Sequence, residues 1–212
     1  DTKGTYGLNG FMYCNRKINS VCIHEEDYEA VVMELAKQAK VQNIIYQELF
    51  LDYPLNEERG IPIEVVMDGY ITAKKAIDEL GVELVYIAGL DRTLPSEQCV
   101  NFVKKLEKYL DYVDGLGMDC EEKGHPCRKH VESYRLAEDM GLFLTAHAGE
   151  DAGVQDGYRN IWDALELLHV KRIDHGCQTV KDPNLVRYLA EHKILCTICP
   201  TANVGSRNVE SF

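Results

Sequence analysis

A histidine and a glutamate lie three residues apart at the end of a short apolar segment. His147 closes the segment 142–147, and Glu150 follows it in the sequence His-Ala-Gly-Glu. The carboxyl ends of parallel strands face the ligand crevice, so a strand here would present both side chains to a bound molecule. A neutral imidazole is a good zinc ligand, and a carboxyl group in a dry crevice can acquire a raised pKa and act as a general acid. These two residues therefore predict acid–base or metal-assisted chemistry.

A second histidine ends a second apolar segment. Segment 171–175 closes with His175, and a helical pattern separates it from His147. Two neighbouring βα units would bring both imidazoles to one site. Because side chains alternate along a strand, we expect Asp174 to face the outer, helix-covered side and to be structural. In the alternative interpretation, both histidines are hydrogen-bonded residues at strand ends and Glu150 is a solvated loop residue.

Apolar segments and amphipathic helices alternate along the chain and would position these residues. The predicted strands are 43–49, 83–90, 112–118, 142–147, 171–175 and 194–199. The predicted helices are 25–40, 63–80, 96–111, 127–140, 158–169 and 183–192. Two helices show a continuous apolar stripe that would pack on a sheet. The stripes are Val100, Val103, Leu106 and Leu110 in one helix, and Ile161, Ala164, Leu165 and Leu168 in the other.

Polar residues end four successive predicted strands, which favours a barrel over an open sheet. Asp91, Asp119, His147 and His175 occupy these positions. An open doubly wound sheet concentrates its site at one switch point, whereas a (β/α)8 barrel uses the ends of many strands. The chain begins without methionine and contains about six βα units, where a barrel needs eight. We therefore predict the α/β class and a TIM-type barrel, present as an incomplete barrel in a single domain over residues 1–212, with its first and last units absent.

Composition and charge limit the possible partners. The 212 residues carry 35 acidic and 23 basic side chains, a net charge of −12, which disfavours nucleic acid because phosphate contacts need clustered Lys and Arg. The apolar segments are shorter than the roughly twenty residues of a membrane-spanning helix, and the chain starts without a signal-peptide core. We predict a cytoplasmic protein with no nucleic-acid or membrane partner, and the oligomeric state stays open. The eight cysteines are predicted to be reduced core thiols, with Cys196 and Cys199 on opposite faces of one strand.

Three motifs occur here in an order and spacing known from one enzyme family. They are Thr-Ala-His-Ala-Gly-Glu at 145–150, Arg-Ile-Asp-His-Gly at 172–176 and Cys-Pro-Thr-Ala-Asn-Val at 199–204. In these motifs the chain closely resembles the adenosine and adenine deaminase family of zinc-dependent barrel hydrolases. The resemblance continues through Asp-Gly-Leu-Gly-Met-Asp at 114–119 and, more weakly, through Tyr-Gln-Glu-Leu at 46–49. It therefore covers nearly the whole chain.

The resemblance implies a role for each site residue. His147 looks like a zinc ligand, Glu150 like the acid that protonates the purine at N1 as water adds to C6, and His175 like the residue that orients and deprotonates the zinc-bound water. Asp119 and Cys120 correspond to the turn whose backbone meets the other edge of the purine. The implied reaction is hydrolytic deamination of a small-molecule purine nucleoside or base, adenosine or adenine, to the 6-oxo purine and ammonia.

Two features of the family have no counterpart in this sequence. Relatives carry a His-x-His pair after the first barrel strand and an Asp-Asp pair after the last, and these supply further zinc ligands. A catalytic zinc site takes at least three protein ligands, and His147 is the one recognisable here. The resemblance thus implies one Zn²⁺ per site, with its other ligands on the absent first and last strands. The other histidines are predicted to be surface residues: His24, His125, His130, His169 and His192.

Two other functions remain open from the sequence. A barrel that has lost metal binding would serve as a ligand-binding or interaction module. A metal-free barrel lyase would use His147 and His175 as acid and base. The choice among adenosine, adenine and a modified aminopurine also stays open, because Asp174 favours the base or a modified aminopurine and the segment 199–203 favours the nucleoside.

Overall fold

Six parallel strands form one sheet in the computed structural model, which describes residues 8–77, 80–151 and 153–210. Each strand pairs with the next one in sequence, in the order β1-β2-β3-β4-β5-β6. The strands are Tyr46–Leu51 (β1), Glu83–Asp91 (β2), Gly115–Asp119 (β3), Phe143–Ala148 (β4), Arg172–His175 (β5) and Leu195–Thr197 (β6). With helices between them, they form the incomplete TIM-type barrel that the sequence predicts.

Helices connect the strands and cover one face of the sheet. They are Leu8–Asn19 (α1), Glu25–Val41 (α2), Tyr53–Glu57 (α3), Ile63–Ile77 (α4), Ser96–Leu106 (α5), Val131–Asp139 (α6), Gly157–Glu166 (α7), Pro183–His192 (α8) and Pro200–Gly205 (α9). Short 3-10 helices occupy Glu107–Tyr109, Cys127–His130 and Cys177–Lys181. In the described residues, none of the helices has both the length and the apolar character needed to cross a membrane.

All six predicted strands and all six predicted helices are present, with some ends moved by a few residues. Residues 78 and 79 of the predicted helix 63–80 lie outside the described residues. The prediction missed α1, α3 and α9. The α1 segment contains asparagine and glycine, which form helices poorly, and α3 and α9 are too short to show a helical period. The predicted strand 194–199 is too long, since β6 ends at Thr197 and Pro200 opens α9. Cys199 therefore lies outside the strand that contains Cys196.

The apolar stripes of the helices form much of the core. Ile161, Ala164, Leu165 and Leu168 are all buried, as are Val100, Val103 and Leu106. Leu110 is 36% exposed because α5 ends at Leu106, so this last member of the predicted stripe does not join the core. The stripe of α7 packs on β4, the strand that contains His147.

Some cysteines and histidines lie elsewhere than predicted. All eight cysteines are free thiols, but Cys22, Cys99 and Cys127 are the buried ones. His24, His169 and His192 are exposed, and His125 is half-buried. The surface prediction is wrong for His130, which is fully buried and contacts the backbone carbonyl of Arg92 through Nε2 at 3.0 Å.

Candidate active site

The carboxyl ends of β1, β3, β4 and β5, together with α1 and α9, line a cavity of about 600 Å³. His147 lies near the end of β4, Glu150 follows that strand, and His175 is the last residue of β5. Asp119 ends β3, and Cys120 follows it. All five residues line this cavity, so the structure brings the predicted site residues together.

His147 presents a neutral imidazole to the cavity. Its ring packs edge-on against Phe50 and tilted against His175, with centroid distances of 5.3 and 5.0 Å. Among the described residues its buried Nδ1 has no hydrogen-bond partner, and the nearest carboxylate oxygen, Oδ2 of Asp174, is 3.8 Å away. Burial lowers the pKa of His147 to about 4, and the charge of Asp174 opposes this only in part. The neutral ring has a nitrogen lone pair available for a metal.

Asp174 faces the same side of the sheet as His147, so the prediction that it points outward is wrong. The two residues are register partners in β4 and β5, and partners in adjacent parallel strands project to the same face. Oδ2 of Asp174 accepts a hydrogen bond from Thr145 at 2.7 Å, and Oδ1 accepts one from Thr197 at 2.6 Å. Nε of Arg172 also donates to Oδ1, at 3.0 Å. Asp174 therefore joins β4, β5 and β6 beside His147.

A left-handed backbone conformation turns His175 into the cavity. Regular alternation would place it on the face opposite Asp174, but its φ of +67° breaks the alternation at the end of β5. Nδ1–H of His175 donates to Oδ1 of Asn203 at 2.6 Å, which leaves Nε2 as the proton acceptor of the neutral ring. The sequence prediction did not assign Asn203 a role, although this buried residue lies in the third motif, at 199–204.

Glu150 is buried and faces His175. Its Oε1 lies 3.6 Å from Nε2 of His175 and accepts a hydrogen bond from Nδ2 of Asn208 at 3.1 Å. Burial raises the pKa of Glu150, and the nearby His175 opposes the shift. A carboxyl group of this kind stays protonated to higher pH and can donate a proton. With 8% exposure, Glu150 is not the solvated loop residue of the alternative interpretation.

Asp119 forms a close carboxyl pair with Asp52, a residue that the sequence prediction missed. A Cβ at Gly89 would lie 2.6 Å from Oδ1 of Asp52 and 3.0 Å from Oδ2 of Asp119, so both carboxyl groups converge over this glycine. Burial and the charge of Asp52 raise the pKa of Asp119 well above its ordinary value. Cys120 adopts a φ of +68° and donates its thiol hydrogen to Oδ1 of Asp119 at 3.2 Å. Asp52 could have been identified from its position in the sequence, because it follows β1 just as Asp119 ends β3.

His147 is the candidate zinc ligand among the described residues. Within residues 8–77, 80–151 and 153–210, no group of three or more His, Cys, Asp or Glu side chains is placed to hold a metal ion. His147 fits as a single nitrogen ligand, since it is neutral and its buried Nδ1 is without a hydrogen bond in this part of the chain. A catalytic zinc centre needs further ligands beyond this nitrogen.

Parallel strands that present imidazole and carboxyl side chains at their carboxyl ends define the class of TIM-type barrel with an enzyme-like site. The family model described as adenosine deaminase matches residues 2–212. The chain therefore belongs to the adenosine deaminase family.

Two similar proteins of known name are adenine deaminases. The chain is 36% identical to the adenine deaminase of Vibrio parahaemolyticus over 181 residues, which are 85% of this chain and 52% of that protein. It is 37% identical to the adenine deaminase of Crocosphaera subtropica over 198 residues, which are 93% of this chain and 60% of that protein. The chain thus spans between half and two thirds of the length of these relatives.

Two solved structures share the fold closely. The adenine deaminase of Arthrobacter aurescens superimposes with a TM-score of 0.90 at 27% identity, covering 97% of this chain and 62% of that one. An amidohydrolase from Burkholderia ambifaria with bound Zn gives a TM-score of 0.85 at 28% identity, covering 92% and 54%.

Proposed function

We propose that the whole protein is a zinc-dependent aminopurine deaminase, in which residues 1–212 form part of a single barrel domain. It would hydrolyse the 6-amino group of adenine or adenosine to give the 6-oxo purine and ammonia. The observation that carries this proposal is the placement of Glu150, His175 and His147 around one cavity. The eight free thiols are compatible with the cytoplasmic location that the sequence predicts.

His147 would hold the metal together with ligands that the described residues do not supply. Zinc, when bound, supplies Lewis-acid activation of the attacking water. The role of His147 is to remain neutral, which its burial favours, and to offer one nitrogen at a fixed place beside His175.

Glu150 and His175 would handle the protons. Burial raises the pKa of Glu150, which favours its protonated form, and Glu150 would donate a proton to ring nitrogen N1, which makes C6 more electrophilic. His175 would accept a proton from water at Nε2, because Asn203 holds the other ring nitrogen as a donor. That proton would then pass to the departing amino group, which leaves as ammonia, and the hydroxyl proton of the adduct would return to Glu150 as C6 becomes a carbonyl. The 3.6 Å separation between Glu150 and His175 allows both to act on one small reacting group.

The opposite edge of the purine would meet Asp119 and Cys120. Both line the same cavity, and the left-handed backbone of Cys120 directs the turn after β3 toward it. The relatives named above are adenine deaminases, so adenine is the first substrate to test and adenosine the second.

The test uses the whole, metal-replete protein. Incubation with adenine, and separately with adenosine, should change the ultraviolet spectrum from that of a 6-amino purine to that of a 6-oxo purine and release ammonia in equal amount. If neither substrate is converted, the proposal is wrong. A chelator should stop the reaction, and deamination that is insensitive to chelators would contradict the proposed zinc dependence.

A second candidate is a non-catalytic barrel that binds a ligand or partner. Among the described residues the metal donors do not form a three-ligand group. For the 212-residue chain, this favours a ligand-binding role over that of a complete zinc enzyme. Purine binding without turnover by the whole, zinc-loaded protein would support it, and turnover would exclude it.

A further inference from the structure

Glu122 is a buried carboxylate that reaches from the loop after β3 to the residues after β4. It is 2% exposed and accepts four hydrogen bonds. Its Oε1 accepts from the backbone N–H of Gly149 at 2.8 Å and from Nδ2 of Asn160 at 3.0 Å. Its Oε2 accepts from the backbone N–H of Glu150 at 3.1 Å and of Asp151 at 3.0 Å. We call residues 149–151 the acid loop.

The arrangement is unusual because three consecutive backbone N–H groups point at one side chain. Gly149 has a φ of +63°, and a left-handed residue in such a position helps successive N–H groups to converge on one anion. Hydrogen bonds to a charged acceptor are stronger than neutral ones, and a buried carboxylate without them is costly. Glu122 and the acid loop therefore stabilise each other's conformation.

We propose that Glu122 is the positioning residue for Glu150, fixing the backbone of the acid loop so that the Glu150 carboxyl group faces His175. This inference rests on the proposed function, because it assigns Glu150 the role of the acid. Glu122 would not touch the substrate, and it would act through the acid loop alone.

Glu122 binds the N–H groups of the acid loop, and a second residue binds its carbonyl groups. Gln178, from the 3-10 helix after β5, binds carbonyl oxygens instead: its backbone N–H donates to Gly149, and its side-chain amide donates to Asp151 at 2.6 Å. The N–H and C=O sides of the acid loop are thus held from two different neighbouring loops. The negative charge of Glu122 also adds to the burial that raises the pKa of Glu150.

The direct test is backbone hydrogen exchange in the 212-residue chain. Glu122→Gln keeps the shape of the side chain but replaces one acceptor oxygen by an NH2 group that faces N–H donors. We expect the amides of Gly149, Glu150 and Asp151 to exchange about 100-fold faster in this variant. The matched control is Glu121→Gln, which changes the adjacent carboxylate outside these contacts and should leave the exchange unchanged. Equal exchange in wild type and Glu122→Gln would overturn the proposal.

A second arm measures turnover by the whole protein. Displacement of an acid by about 1 Å can cost about 100-fold, so kcat of Glu122→Gln should fall by about that factor, with KM changed by less than about threefold. In a Glu150→Gln background the same change should cost nothing further, because Glu122 acts only through Glu150. A residue needed only for general stability would lower activity in both backgrounds, and independent, multiplying losses would overturn the proposal.

A milder variant covers the case in which Glu122→Gln does not fold. Asn160→Ala removes one of the four donors and leaves the carboxylate in place, and it should raise the exchange of the acid loop about tenfold. Unchanged exchange in this variant would count against the proposal. If the wild-type whole protein converts no aminopurine, the proposed function fails, while the exchange measurements still decide whether Glu122 holds the acid loop.

Discussion

One physical cause acts on two site residues in opposite directions. Burial disfavours the charged form of any group, so it lowers the pKa of His147 to about 4 and raises the pKa of Glu150. Both groups are thereby biased toward their neutral forms, which are the forms that the proposed roles of metal ligand and proton donor require. The same two residue types on the surface would carry charge and suit neither task.

Glu150→Gln tests the role of the acid in the whole protein. The amide keeps the size of the side chain but is a very weak proton donor, so we expect kcat to fall by about 10²- to 10⁴-fold with bound zinc unchanged. Steady-state kinetics and metal analysis of the same preparation provide both measurements. Wild-type turnover in this variant would rule out Glu150 as the acid.

His147→Ala tests the role of the metal ligand. Removing one nitrogen from the donor set should release most of the zinc from the whole protein, whereas Glu150→Gln should retain it. Zinc content after gel filtration, compared between the two variants, is the measurement. Equal zinc in both would mean that His147 is not a ligand.

At the scale of the elements, periodicity predicted where strands end but could not predict how a strand end is twisted. β4 and β5 lie within one residue of their predicted bounds, so His147 and His175 were placed correctly at the cavity. The orientation of Asp174 was predicted wrongly, because the prediction assumed regular alternation and His175 instead adopts a positive φ. Asn203 received no role because α9 is too short to show a period, and its contact with His175 depends on how β5 and α9 meet.

The turn after β4 allows a specific prediction about Gly149, which lies between His147 and Glu150. Its φ is +63°, and a Cβ there would lie 2.5 Å from Cδ1 of Ile161. Gly149→Ala should therefore lower the free energy of unfolding by about 2–4 kcal/mol. Part of the loss comes from alanine in a left-handed backbone conformation, and the rest comes from the contact of its Cβ with Ile161. Urea unfolding of the 212-residue chain measures this.

Gly141→Ala is the matched control for that substitution. Gly141 has a φ of +80° with nothing within 4 Å of a Cβ, so alanine there should cost about 1–2 kcal/mol from the backbone alone. Equal losses at both glycines would show that Ile161 moves aside without cost. Shortening Ile161 to valine should recover part of the loss in Gly149→Ala only.

At the scale of the whole molecule, polar contacts connect the first and last strands of the incomplete barrel. Arg172 of β5 forms an ion pair with Glu48 of β1 and donates to Asp174, which in turn accepts from Thr197 of β6. Side chains of β1 and β6 are therefore connected through Arg172 and Asp174 of β5. These contacts restrain the positions of β1, β5 and β6 relative to one another.

The stability of the whole molecule should depend on pH through His130. This ring is fully buried, and burial, with smaller contributions from Lys129, Arg92 and His125, lowers its pKa from 6.5 to about 4. Its Nε2–H donates to the Arg92 carbonyl, so an added proton would go to the buried Nδ1, which has no hydrogen-bond partner in the described chain. Between these two pKa values the unfolded chain binds more protons, so stability is fully present above pH 6.5 and falls as the pH drops toward 4.

This contribution should amount to about 2 kcal/mol between pH 7 and pH 5. His130→Gln keeps an N–H donor for the carbonyl but cannot titrate in this range. The measurement is urea unfolding of both proteins at the two pH values, and the loss on acidification should be smaller in the variant by about that amount. An identical loss in both would assign the pH dependence to other groups.

The last prediction concerns zinc in the 212-residue chain itself. His147 offers one nitrogen, and the residues that the structure describes contain no three-ligand group, so a chain loaded with zinc should lose it on gel filtration. The whole protein, whose relatives are longer than this chain, should instead keep about one zinc per site. Atomic absorption on both samples after the same column gives the comparison. Tight, stoichiometric zinc binding by the 212-residue chain would contradict the hypothesis that it offers a single ligand. The same measurement on His147→Ala would then show whether His147 binds the zinc at all.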